Sequence, residues 1–297
     1  MPNLRDIKKR IDSVESTRQI TRTMEMVATA KIKKAQERIE SARPYALSMM
    51  EVLGNVARFA KGAEHPLLQE HDSVKRAVII CVTSDRGLCG AFNANILRMT
   101  EAFVREQRAE GVEVDIITVG KKAVGYFRYR GVEPLASYRD ISDKPTFMDA
   151  KSIAAHLIGA YGAEELDRVV IAFNRFKNVA EQKPELHQLL PIRQAALDEA
   201  AEDVEAAHVT AEYLFEPDAE SVLQLLLPTY VETLIYRSLM ESAASEQGAR
   251  RTAMKSATDN AGEMITTLSR SYNRARQAAI TTEIAEIVGG AAALEDE

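Results

Sequence analysis

The sequence lacks tryptophan, and aromatic residues make up only 6% of the chain. Its hydrophobic fraction of 46% is therefore carried largely by Ala, Leu, Val and Ile. This composition favours packing between helices over an aromatic-lined pocket or a β-sandwich. With 297 residues, the chain is long enough to form one large domain or two modest ones.

Cysteine and histidine are also scarce, and their positions argue against two kinds of site. The two cysteines, Cys81 and Cys89, cannot build a disulfide framework. The five histidines are scattered and do not have the spacing of metal ligands. We therefore expect neither a metal nor a cofactor.

Charge and hydropathy bear on the kind of partner and on the compartment. The net charge of −6 argues against a general nucleic-acid binder, because affinity for phosphates requires clustered Lys and Arg. No apolar run approaches the ~20 residues needed for a direct membrane span. The first seven residues lack the apolar stretch of a signal peptide and contain an acid too early for a transit peptide. We expect a soluble protein in a reducing cytoplasm.

The N-terminal segment has the pattern of one very long helix. Apolar or small residues recur every three or four positions from Leu4 to Val56, as in a heptad seam with local stutters. The pattern predicts a helix from about residue 3 to the mid-fifties, with a length of about 75–80 Å. Pro44 lies inside it and predicts a bend.

The C-terminal segment repeats this pattern at greater length, with a seam dominated by alanine. We expect a helix over residues 219–288, on the order of 100 Å long. Gly289 and Gly290 provide its end, and Pro228 marks a kink or a later start. Helices of this length need a partner along their length. Because a globular middle separates them, we expect the two helices to form an antiparallel coiled coil.

The middle of the chain has the alternating pattern of an α/β domain. We expect three strands, two possible short edge strands and three helices that cover a small sheet on both faces. The strands are at 77–83, 114–119 and 168–173, the edge strands at 186–191 and 213–216, and the helices at 92–108, 121–129 and 150–161. The acidic, Ala-rich segment 194–207 is expected to be a surface loop or a frayed helix. The resulting domains are a helix at 1–58, an α/β domain at 74–215, a helix at 219–290 and a tail at 291–297.

The turn after the first strand is the place where a catalytic interpretation would begin. A Gly-rich turn between a strand and a helix holds the pyrophosphate in dinucleotide-binding folds. Here only Gly87 and Gly90 are present, without the complete glycine triplet or a P-loop. Cys89 is expected to be a small packed residue, while Asp85 and Arg86 form either a functional ion pair or a surface turn. The sequence offers no credible active site.

Two surface features of the long helices have more than one interpretation. The basic segment from Lys31 to Arg43 is by default a solvated helix face, and the alternative is contact with an acidic partner. The C-terminal helix exceeds what the N-terminal helix can cover, so we expect its last turns to protrude. A tip such as Ala278–Thr282, rich in Ala, Thr and Ile, would need a sleeve made by other chains.

Three stretches of the chain resemble the gamma subunit family of the bacterial rotary (F-type) ATP synthase. The first is residues 11–36, centred on TRQITRTMEMVATAK, and the second is SDRGLCGAFN at 84–93. The third begins with SEQGAR at 245–250 and continues through MKSATDN and RQAAITTE to EIVGGA at 286–291. The resemblance extends from end to end of the chain and implies a central Rossmann-like α/β domain beneath an antiparallel coiled coil.

The resemblance implies a non-catalytic subunit that transmits torque. The partners implied are a catalytic hexamer of alpha and beta subunits, an epsilon subunit and a membrane rotor ring of c subunits. The contact residues implied by motif match are Met24, Lys31, Lys33, Lys34, Arg250, Arg276, Gln277, Thr281 and Glu283. The lysines would face acidic levers of the catalytic subunits, and residues 284–294 would lie in an apolar bearing.

The resemblance also implies a location, the cytoplasmic face of the bacterial cell membrane, where the protein is peripheral. The chain departs from the family after Ala293, where it ends in the acids Glu295, Asp296 and Glu297. Two other hypotheses remain beside the shaft. One is a degenerate Rossmann-like nucleotide-binding protein with helical arms for dimerisation, and the other is a coiled-coil tether.

Overall fold

A computed structural model describes residues 4–59, 65–71, 73–193, 216 and 218–295. The chain forms two compact units. The larger unit is Thr29–Arg250, and the smaller unit combines the chain up to Ala28 with the chain from Arg251 onward. Both long helices contribute to both units.

The secondary structure consists of five helices and five strands in the described part of the chain, with a short 3-10 helix at Pro66–Leu68. The helices are α1 (Leu4–Phe59), α2 (Phe92–Ala109), α3 (Lys121–Tyr129), α4 (Phe147–Gly162) and α5 (Ala219–Glu295), and the strands are β1 (Arg76–Val82), β2 (Glu113–Val119), β3 (Ala136–Tyr138), β4 (Arg168–Phe176) and β5 (Gln182–Leu190).

The strands of the larger unit form one sheet in the order β3-β2-β1-β4-β5. Strands β1 to β4 are parallel, and β5 runs antiparallel to β4 at the edge. The central strand β1 pairs Ile79 with Ile116 of β2 on one side and with Val170 of β4 on the other. The continuous apolar run in β1 suits this position, since a central parallel strand is buried on both faces.

The two faces of the sheet carry separate apolar clusters. Because successive side chains of a strand point to opposite faces, Ala77, Ile79 and Cys81 pack with α2 and α3, whereas Val78 and Ile80 contribute to the other face. That second face packs against α4 and against parts of both long helices. The residues from the long helices are Leu53, Val56, Leu223, Leu227, Val231, Ile235 and Leu239. Burying each such side chain contributes about 1.5–3 kcal/mol.

The smaller unit contains the beginning of α1 packed against the second half of α5. Thr258 donates a hydrogen bond to the Thr21 hydroxyl, with 2.8 Å between the two oxygens. In an antiparallel pair the residue numbers at one level have a constant sum, so this contact puts Val14 level with Ile265. Both of these side chains are half-buried. The predicted fold class, an antiparallel coiled coil with a Rossmann-like α/β domain, is confirmed.

The predicted end of the C-terminal helix is wrong. Helix α5 continues through Gly289 and Gly290 to Glu295. A glycine inside a helix costs only about 1 kcal/mol relative to alanine, and the three alanines that follow favour the helical state. Pro228 likewise lies inside α5 and Pro44 inside α1.

The smaller elements show where the sequence pattern was incomplete. Strand β3 was not predicted, and β5 is longer than the predicted edge strand at 186–191. Helix α4 begins before the predicted residue 150, because Thr146 and Asp149 form a capping box at its N-terminus. The predicted segment 194–207 lies outside the described residues, as does the predicted strand at 213–216 except for Glu216.

The described residues also bear on membranes and metals. None of the described helices has an apolar stretch sufficient to cross a bilayer. No group of three or more His, Cys, Asp or Glu side chains in the described ranges is arranged to hold a metal ion.

Candidate functional site

The turn that follows β1 is organised around the carboxylate of Asp85. Its Oδ1 accepts hydrogen bonds from the backbone N–H groups of Lys121 and Asp140, both at 3.0 Å, and its Oδ2 accepts one from Ser142 at 3.2 Å. Burial of this carboxyl opposes the charged form, but the hydrogen bonds outweigh burial and hold the pKa of Asp85 below its ordinary value.

These backbone donors lie at the carboxyl ends of parallel strands, one of them at the N-terminus of α3, where a helix can stabilise a negative charge. In this chain Asp85 supplies the anion itself. The donors are therefore satisfied without a phosphate. Asp85 thus bonds to backbone N–H groups that belong to two other loops. The side chain of Arg86, the other residue of the predicted ion pair or surface turn, is exposed.

The rest of the same turn is closed by a small buried hydrogen-bond cluster. Asn93 accepts a bond from the Ser84 backbone N–H at 2.9 Å and donates from Nδ2 to the Ser84 hydroxyl at 2.8 Å. Asn93 Nδ2 also lies 3.2 Å from Cys89 Sγ. Burial raises the pKa of the Cys89 thiol. Cys89 is therefore a packed residue with little thiolate character, as the sequence predicted.

Arg250, a predicted partner-contact residue, is only 8% exposed. One guanidinium nitrogen forms an ion pair with Glu246 at 2.7 Å, and another donates to the carbonyl oxygen of Gly87 at 3.3 Å. Burial raises the pKa of Glu246, and the adjacent Arg250 opposes this shift. The contacts of Arg250 in the larger unit thus tie α5 to the turn after β1.

Arg250 ends a stretch of α5, Ser245–Arg250, that we call the anchor segment. The Ser245 hydroxyl donates to the backbone carbonyl of Asn174 at 2.9 Å, where β4 approaches its end. A Cβ atom at Gly248 would lie 2.8 Å from the side-chain nitrogen of Gln182. The helix therefore approaches the β4–β5 hairpin closely at a position where a side chain would have to displace its neighbour.

The anchor segment also contacts the loop between β3 and α4 through Asp143. Gln247 donates to Asp143 Oδ1 at 3.0 Å, and the Lys31 ammonium of α1 lies 2.6 Å from Oδ2. Asp143 thus bonds to both long helices inside the larger unit. Of the predicted basic contacts, Lys31 is engaged within the chain, whereas Lys33 and Lys34 are exposed.

The other predicted contact residues lie in the smaller unit. Met24 is half-buried on α1. Helix α5 is exposed from Thr281 to Gly289, with apolar side chains among its exposed residues. The polar residues predicted as contacts are all exposed, and they are Arg276, Gln277, Thr281 and Glu283. The exposed apolar residues of the same part of α5 are Ile280, Ile284, Ile287 and Val288.

The roles of Asp143 and Glu246 were not predicted from the sequence. The spacing of Glu246 and Arg250, four residues apart on a helix, was a signal that could have revealed their ion pair. No comparable signal existed for Asp143, because Lys31 and Gln247 both lie more than a hundred residues away from it along the chain.

Known proteins of one family are similar to this chain over nearly its full length. A family model described as ATP synthase matches residues 3–294. The ATP synthase gamma chain of Desulforamulus reducens is 49% identical over 99% of this chain and 100% of its own length. This chain belongs to the ATP synthase gamma chain family. The gamma chain of Xanthomonas campestris is 43% identical over 98% of this chain and 99% of its own length.

Solved structures agree with this membership in the gamma chain family. The chain is similar to one in the central stalk and c-ring of Tetrahymena thermophila mitochondrial ATP synthase, with a TM-score of 0.60 and 27% identity. That match covers 80% of this chain and 99% of the other. A chain of the Euglena gracilis mitochondrial enzyme gives a TM-score of 0.66 over 98% of this chain and 94% of its own length. At 20% identity, the second likeness bears on the fold alone.

Proposed function

We propose that this chain is the central-stalk shaft of an ATP synthase. It transmits torque between a membrane rotor ring of c subunits and a catalytic hexamer of alpha and beta subunits. The observation that carries the proposal is the full-length similarity to gamma chains, at 49% identity. The geometry supports it, since α1 and α5 are far longer than the α/β domain needs and α5 is exposed from Thr281 to Gly289.

The mechanical demand on such a shaft follows from the size of the driving force. Each translocated charge supplies only about 2.3 kcal/mol per 100 mV, so several charges must be pooled for each ATP. The shaft must therefore hold torque without unwinding. Two mutually packed helices, whose backbone hydrogen-bond ladders are each interrupted at one internal proline (Pro44 or Pro228), meet that demand.

The exposed residues of the two long helices are the contacts with the catalytic hexamer in this proposal. Among them, Lys33 and Lys34 face acidic levers of the catalytic subunits, and the half-buried Met24 lies on the stretch of α1 that runs past those levers. The polar residues Arg276, Gln277, Thr281 and Glu283 of α5 contact catalytic-subunit loops. The apolar residues Ile284, Ile287 and Val288 lie in an apolar bearing, since they are exposed on the isolated chain and would be covered there.

The α/β domain is the part that meets the c ring and the epsilon subunit. The protein is then peripheral, at the cytoplasmic face of a bacterial cell membrane. Catalytic residues belong to the hexamer rather than to this chain. The turn after β1 supports this assignment, because it lacks the complete glycine triplet of a dinucleotide-binding fold.

The test is the composition of the native assembly. The chain carries an affinity tag, is extracted gently from its own membranes, and is weighed with its partners by native mass spectrometry. We expect one copy per hexamer of nucleotide-binding subunits, together with an epsilon subunit. Truncation before Arg276 is expected to abolish coupled ATP synthesis. A homodimer without a hexamer would contradict the proposal and favour the nucleotide-binding hypothesis.

A further inference from the structure

In a rotor shaft, torque applied to the α/β domain must reach the long helices through side-chain contacts that resist rotation. The apolar contacts between the sheet and residues such as Leu227 and Val231 resist separation. The interdigitated packing of these side chains also opposes rotation of a helix about its own axis. Hydrogen bonds and ion pairs depend on angle as well as on distance. Polar contacts therefore add a fixed angle to the rotational setting of a helix.

Helix α5 is enclosed from every direction just where such polar contacts occur. Every residue from Ser238 to Gly248 is buried, which amounts to about three helical turns. A helix that lies on a surface buries only one stripe, whereas a helix buried all round is surrounded. At about 100° per residue, Ser245 points to one side of α5, whereas Gln247 and Arg250, three residues apart, point to the opposite side. They bond to strand β4, to the loop between β3 and α4 and to the turn after β1, respectively.

Asp143 bonds to the second long helix, α1, as well as to α5. Its two carboxylate oxygens receive the Lys31 ammonium of α1 and the Gln247 amide of α5. The loop that carries Asp143 is itself fixed, because the adjacent Ser142 exchanges bonds with Asp85. A continuous polar chain therefore runs from the turn after β1 to both long helices, entirely within the larger unit.

We propose that Asp143 is a positioning residue for rotation, which locks both long helices to the α/β domain at the anchor segment. The proposal rests on the proposed function as a rotor shaft. It assigns Lys31 to this internal joint rather than to an acidic lever of a partner. An exposed pair of this kind contributes little to stability, so its role lies in the angle that it fixes under load.

The experiment measures coupling in the assembled complex, reconstituted into vesicles. The variants are Asp143→Ala, the exchanged pair Lys31→Asp with Asp143→Lys, and Arg139→Gln as a control. Arg139 is an exposed residue of the same loop. For each variant, ATP hydrolysis and ATP-driven ion uptake are recorded while the opposing ion gradient is raised. The readout is the number of ions moved per ATP hydrolysed.

For Asp143→Ala we expect hydrolysis close to that of the native complex. The ions moved per ATP are expected to fall about two- to fivefold as the opposing gradient rises, in the range of a partly exposed ion pair. The exchanged pair is expected to restore the ratio, because the ammonium and the carboxylate only change places. The ammonium on the loop can also donate to the amide oxygen of Gln247. Arg139→Gln is expected to match the native complex at every load.

Two results would overturn the proposal. One is a ratio in Asp143→Ala that stays at the native value under every load. The other is an equal loss of hydrolysis and uptake, independent of load and not restored by the exchange, as a purely structural role would give. A native chain that forms no coupled complex would instead count against the proposed function.

Discussion

Several side chains of the larger unit are held by partners that lie far away in the sequence. Asp85 receives three backbone N–H groups from two other loops, and Asp143 joins residues of both long helices. Arg250 reaches the carbonyl of Gly87. At this scale the turn after β1 and the loop before α4 serve to hold helices, although their position in the fold is the one where many α/β proteins hold a ligand.

Replacing Asp85 by alanine should destabilise the α/β domain in a pH-dependent way. The lost bonds should lower the free energy of unfolding by about 1–2 kcal/mol near neutral pH, after allowance for partial exposure. Because the pKa of Asp85 is lowered in the folded chain, its stabilisation is fully present above the ordinary pKa of the carboxyl. It is lost as the pH falls through the lowered value.

Urea unfolding of the two chains at a series of pH values measures this effect. Asp115→Asn, at an exposed position of β2, is the matched control and should leave stability almost unchanged. A difference between native and Asp85→Ala chains that stays constant down to strongly acidic pH would contradict the role assigned to the ionised carboxylate.

Replacing Arg250 by glutamine should cost more, because it leaves the buried Glu246 carboxylate without its ion-pair partner. We expect a loss of about 3–5 kcal/mol in the free energy of unfolding. The double variant Arg250→Gln with Glu246→Gln should be less destabilised than the sum of the two single variants. A double-mutant cycle from urea unfolding measures this difference, and strict additivity would show that the pair does not act as a unit.

At the scale of elements, the sequence predicted the helices and strands that have a repeating or continuous apolar pattern. It missed the elements and element ends that have no such pattern. The helical period over dozens of residues predicted α1 and most of α5, and apolar runs predicted β1, β2 and β4. Strand β3 is too short for any period. The end of α5 was misplaced because glycine weakens a helix without forbidding it. Contacts such as that between Lys31 and Asp143 depend on tertiary packing, which no local pattern encodes.

The start of α4 is set by a cap and can be tested as such. The Thr146 side chain accepts a bond from the Asp149 N–H, while the Asp149 carboxylate accepts one from the Thr146 N–H. Thr146→Ala should therefore lower the free energy of unfolding by about 1 kcal/mol. Ser152→Ala, on an exposed turn of the same helix, should cause no loss, since alanine favours the helical state. Equal effects of the two changes on the urea midpoint would argue against the cap.

At the scale of the whole molecule, the chain combines two kinds of packing that suit different tasks. The sheet with its two apolar clusters forms an ordinary α/β core. The long helices carry a seam of small and apolar residues and leave many other side chains exposed. In a rotor, the α/β core would receive torque and the long helices would deliver it. The family relation of the chain is consistent with that division.

Rotation of the chain inside the proposed catalytic hexamer tests this account most directly. Tyr129 on α3 is 90% exposed, and both native cysteines are buried. A cysteine introduced as Tyr129→Cys can therefore be labelled selectively with a bead while the hexamer is fixed to a surface. The account predicts that added ATP turns the bead continuously in one direction and that removing ATP stops it. A bead that stays still while the same complexes hydrolyse ATP would contradict the account.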